Sequence, residues 1–103
     1  MEAKEYRFKI GAEDFSAYAD EVLSAVRQSA ESGALEGASL ELPNYEGVRV
    51  NFGRDHGNGW LLIRKSLHDP VMPVNIESDS PGGTGRILES LMGVLAPFGK
   101  LSL

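Results

Sequence analysis

Apolar residues in this chain keep two different rhythms, and the switch between them decides most of what it can fold into. "EYRFKI" alternates Tyr6, Phe8 and Ile10 with Arg7 and Lys9, and "GVRVNF" alternates Val48, Val50 and Phe52 with Arg49 and Asn51. Period two marks a strand buried on one face, because successive side chains leave opposite sides of the backbone. "WLLIRK" is apolar on both faces, as an interior strand would be, and Met72, Val74 and Ile76 line one face of a fourth strand. Pro73 lacks a backbone donor, which predicts an edge or an irregularity for that strand.

From Asp14 the rhythm becomes helical. Phe15, Ala19, Val22 and Val26 form a stripe that predicts a helix over 13–32, ended by Gly33. Ile87, Leu88, Leu91 and Leu95 form a second stripe, with Ser80 as the expected N-cap, Pro81 at the first helical position, and Pro97 and Gly99 closing it. "GALEGASLELPNYEG" reads as a connection in which Leu40 and Leu42 add a short extended piece, and "GRDHGNG" as a flexible hairpin tip. The order strand, helix, three strands, helix predicts a single α+β domain over 1–103. Its expected form is a four-stranded, mostly antiparallel sheet with both helices on one face.

The chain is 42% apolar and 24% charged, the balance of an ordinary globular protein. With no cysteine and two histidines, a structural zinc site is effectively excluded. A net charge of −5 argues against general nucleic-acid binding, which needs a basic face. "MEAKEYRFKI" does not read as a signal peptide and no run approaches the ~20 apolar residues of a membrane span, so neither nucleic acid nor membrane is an expected partner and a cytoplasmic location is expected.

Chemistry concentrates in "RKSLHDP", Arg64 to Pro70, between the third and fourth strands. A phosphate dianion needs convergent donors with few carboxylates beside them. Arginine supplies a planar fork, serine a rotatable hydroxyl, and a tight turn can aim successive amides into one concavity. Arg64, Ser66 and the amides of Leu67 and His68 make such a set, with Lys65 as an accessory cation. The plainer alternative is a solvated hairpin loop in which "HDP" is only a turn signal. His56 and His68 with Asp55 and Asp69 have the chemistry of a divalent metal site, but nothing in the sequence joins their turns. "PGGTG" lacks the lysine of a P-loop and suits helix capping better, and no spacing suggests a Ser-His-Asp triad.

"YEGVRVNF" followed by "GWLLIRKSLHDPVMPVNIES" resembles the C-terminal domain of the α-D-phosphohexomutases, the phosphomannomutase and phosphoglucomutase family. That domain reads D-G-V-R-hydrophobic-x-F, then G-W-hydrophobic-hydrophobic-R-x-S-x-x-x-P, and the flanking strand and helices extend the likeness over nearly the whole chain. The resemblance implies a TATA-box-binding-protein-like sheet. It also implies that Arg64 and Ser66 hold the phosphate of a mannose or glucose phosphate, with Leu67 and His68 giving at least backbone amides. Most members carry asparagine and threonine or similar polar residues at those last two positions. The reaction implied for the parent enzyme is phosphate transfer between the 1- and 6-positions of a hexose. Its phosphorylated serine, its magnesium loop and its sugar-selecting residues lie on other domains, so this chain is expected to carry no catalytic residue and no cofactor, and to be inactive alone. Those mutase domains are then its expected partners. A reading of another class is a stand-alone interaction module that uses the open face of its sheet.

Overall fold

The computed structural model describes residues 1–41 and 47–103, so the expectation for Leu42 lies outside the described residues. The chain opens with strand β1 (Glu2–Ile10) and continues into helix α1 (Phe15–Ser32). The Asp14 side chain caps this helix by accepting from the Ala17 amide at 3.1 Å, and Gly33 ends it at φ 85°, a left-handed conformation that costs glycine little. Strands β2 (Ala38–Leu40), β3 (Gly47–Phe52), β4 (Gly59–Arg64) and β5 (Val71–Ser78) follow, then helix α2 (Gly83–Leu95) and a last strand, β6 (Leu101–Ser102).

The strands form one antiparallel sheet in the order β2-β3-β4-β5-β1-β6. Phe8, Val50, Leu61, Ile63, Met72, Val74 and Ile76 are buried on one face, where Val22 and Val26 of α1 and Ile87 and Leu91 of α2 pack against them in a single core. The alternation therefore has the meaning read from the sequence: one face is roofed by two helices and the other is not.

Among the described residues the sheet has six strands rather than the expected four. The additional strands are two or three residues long, too short to show a rhythm of their own. β2 exists because Ala38–Leu40 meets Val50–Phe52, and β6 because Leu101 and Ser102 meet Ile10 and Lys9. β6 is held in place by its approach: Gly11 donates to the Lys100 carbonyl at 2.8 Å, the Lys100 amide donates to the Tyr18 hydroxyl at 3.1 Å, and Tyr18 meets Phe98 edge to face at 5.8 Å.

Pro73 is not at an edge. β5 lies between β4 and β1, and Pro73 pairs with Arg7. Its missing donor is tolerated because Val71 turns its carbonyl to Ser66 on the β4 side, Pro73 faces the same way, and the β4 ladder ends at Ile63–Val74. Helix α2 also begins later than expected: Gly82, at φ 76°, is the N-cap in place of Ser80, and Pro81 precedes the helix. Ser80 instead accepts from Asn58 Nδ2 at 3.0 Å. The helix amides are capped from the far end of the chain by Glu2, whose carboxylate accepts from Gly82 N at 3.0 Å, Thr84 N at 3.3 Å and Thr84 Oγ1 at 3.0 Å. These bonds, the Gly82 amide foremost, hold the Glu2 carboxyl below its ordinary value of 4.5. "GRDHGNG" is a 3₁₀ turn (Arg54–His56) rather than a loose tip, tied by Gly57 O to the buried Ser78 hydroxyl.

Candidate functional site

β4 carries the candidate residues to the end of the sheet. Alternation places Ile63 in the core and Arg64 on the unroofed face, and Lys65 falls again on the helix side. Lys65 Nζ is held there by Ser16 Oγ at 3.2 Å and Asp20 Oδ1 at 2.8 Å, both on α1. It anchors the entry to the turn against the first helix, which the sequence did not reveal because Asp20 lies forty-five positions away.

Arg64 is different. Its Nε is buried, yet among the described residues it meets no hydrogen-bond partner and its guanidinium forms no ion pair. A buried donor without an acceptor is costly, and its presence asks for a ligand or a solvent molecule at that spot. Room for the side chain comes from Gly47, its partner across β3: a Cβ there would stand 2.2 Å from Ile63 O and 3.0 Å from Arg64 Cγ. Sequence reasoning placed Gly47 in a motif but assigned it no part in the site.

The turn after Arg64 closes on itself. Ser66 N donates to Val71 O at 3.3 Å, Val71 N to Asp69 O at 2.8 Å, and Asp69 N to Ser66 Oγ at 3.3 Å. Because Ser66 Oγ accepts from Asp69, its own proton is free to be donated. Among the described residues no acceptor meets the amides of Leu67 and His68. Both side chains point to solvent, Leu67 at 79% exposure. The turn thus offers an arginine fork at its base, a hydroxyl and two unengaged amides at its tip, with Asp69 the carboxylate within the same turn.

His56 and His68 lie beyond opposite ends of β4 and do not come together. Among the described residues no three His, Asp or Glu side chains gather as metal ligands. No helix of the described residues is long and apolar enough to cross a membrane.

Fold and site define a small α+β domain whose sheet is roofed on one side and carries, beside a donor-rich hairpin turn, an arginine without an ion-pair partner among the described residues. A solved structure shares this fold: a phosphoglucomutase/phosphomannomutase family protein from Burkholderia thailandensis superposes with a TM-score of 0.62 at 20% identity, over 94% of this chain. The match takes in 18% of that protein, so the chain spans less than a fifth of that protein's length. No family model matches the sequence, and no curated protein matches it.

Proposed function

We propose that the chain is the substrate-phosphate-binding domain of a phosphoglucomutase or phosphomannomutase, and that Arg64–Pro70 holds the phosphate of a hexose phosphate. The observation that carries this reading is the buried, unpartnered Nε of Arg64 at the foot of a turn with free amides. A phosphate oxygen is an acceptor of the right charge and geometry for it. Arg64 would take two oxygens, the Ser66 hydroxyl a third contact, and the Leu67 and His68 amides would complete the cradle. The likeness to the mutase family structure supports the same assignment, and with the resemblance of the "GWLLIRKS" stretch it favours a sugar phosphate over a free anion.

In a mutase this domain's contribution would be positioning and charge stabilisation, with the phosphoryl-transferring groups and magnesium supplied by the rest of the enzyme. On this reading the chain binds without turning over, and does so in the cytoplasm. Two or three charge-assisted hydrogen bonds of ~1.5–3 kcal/mol each, reduced by the entropy of association, give roughly millimolar affinity. The test is an amide-resolved NMR titration with mannose 1-phosphate or glucose 1-phosphate. Shifts should cluster in Arg64–Pro70 and be lost in Arg64→Ala, whereas His68→Ala should retain them because only its amide is used. Shifts elsewhere, or unchanged binding by a folded Arg64→Ala, would leave the turn an ordinary solvated hairpin.

A further inference from the structure

The second face of the sheet, opposite the helices, is crossed by ordered rows of side chains. One row holds Asn51, Trp60 and Glu77, the next Arg49, Leu62, Asn75 and Glu5, and one step on lie Arg64, Pro73 and Arg7. Trp60, Leu62 and Pro73 are half-buried and form an apolar middle. The charges of the central row are already matched: Arg49 Nε lies 2.8 Å from Glu41, its guanidinium 4.2 Å over the Trp60 ring, and Glu5 lies 3.6 Å from Arg7. Unmatched charges remain at the two ends. Among the described residues Arg64 and Lys9, at the turn end, and Glu77 and Asp79, at the other, enter no ion pair.

We propose that this face binds a second copy of the chain, face to face, about a two-fold axis that lies between the copies, parallel to the sheet and perpendicular to its strands. Such a rotation keeps β4 over β4 and reverses its direction. Leu62 then meets Leu62 of the second copy, Arg64 comes beside its Trp60, and Glu77 comes between its Arg64 and Arg7. Every contact is made twice, as an isologous interface requires, and aligned sheets pack about 10 Å apart. Charge favours this occupant: a face cationic at one end and anionic at the other is complementary to itself turned end for end. The net charge of −5 opposes association at long range but is screened beyond ~8 Å at physiological salt.

Sedimentation equilibrium of the full chain, at physiological salt without phosphate, tests this independently of the sugar-phosphate reading. The mass should rise with concentration from 11.1 kDa toward twice that value. Leu62→Glu should remain monomeric with an unchanged circular dichroism spectrum. Glu77→Arg and Arg64→Glu should each weaken self-association about tenfold or more, and an equimolar mixture of the two should restore it, since every reversed charge then meets its opposite. A monomer at every accessible concentration, or a mixture no tighter than either variant alone, would overturn the proposal. Should Leu62→Glu fail to fold, the mixing experiment decides by itself.

Discussion

Gly47→Ala tests whether backbone packing positions the arginine of the candidate site. The added methyl would stand 2.2 Å from Ile63 O, about 1 Å short of the ~3.3 Å of a close C···O contact. The obstacle is a backbone carbonyl, which cannot rotate away as a side chain can, so the end of β3 must move off β4. Overpacking of this kind costs ~1–3 kcal/mol, and the smaller entropy of the unfolded alanine chain returns ~0.4–1 kcal/mol. The net loss is then ~1–2 kcal/mol, which for a domain of this size lowers Tm by about 5–15 °C. The same methyl lies 3.0 Å from Arg64 Cγ, so the guanidinium must swing from its seat. Thermal unfolding followed by circular dichroism reads the first effect, and sugar-phosphate titration well below the lowered Tm reads the second, with a loss of about tenfold expected. An unchanged Tm, together with unchanged titration, would show that β3 and β4 tolerate the methyl and that Gly47 has no part in placing Arg64.

Ser78→Ala should cost ~1–3 kcal/mol in denaturant unfolding, because the buried hydroxyl donates to Gly57 O and accepts from Ser80 N at 3.0 Å, leaving both unpaired when removed. Glu2→Gln should destabilise the chain near neutral pH and matter less in acid. A carboxyl whose value is lowered on folding stabilises above its unfolded value of 4.5 and loses that contribution as pH falls through the folded one, so the gap between the parent chain and variant should shrink as pH falls below 4.5; a gap independent of pH would refute the cap. Lys65→Met removes an ion pair whose side chains are 28% and 61% exposed, so a stability change within ~1 kcal/mol and an unaltered sugar-phosphate titration are expected.

What this chain determined from its sequence alone is whatever a short window can hold. Alternation in "EYRFKI" and "GVRVNF" set those strands and their buried faces, the Phe15–Val26 stripe with Gly33 set α1, and the end of the "WLLIRK" strand set Arg64 at a sheet terminus. These follow from side-chain periodicity and local backbone preference, which need no knowledge of distant residues. Tertiary structure decided everything that depends on which segments meet. β2 and β6 are strands only because β3 and β1 lie beside them, and Pro73 is accommodated inside the sheet because its neighbour's ladder stops one residue short. Glu2, rather than Ser80, caps α2 across eighty positions, because β1 runs alongside β5 and its first residue lies at the helix start. The site divides the same way. The sequence shows an arginine, a lysine and a serine in succession, whereas only packing turns Lys65 to α1 and leaves Arg64 on the open face with its Nε unpartnered. Hydrogen-bond satisfaction is a property of the assembled neighbourhood, and no local pattern encodes it.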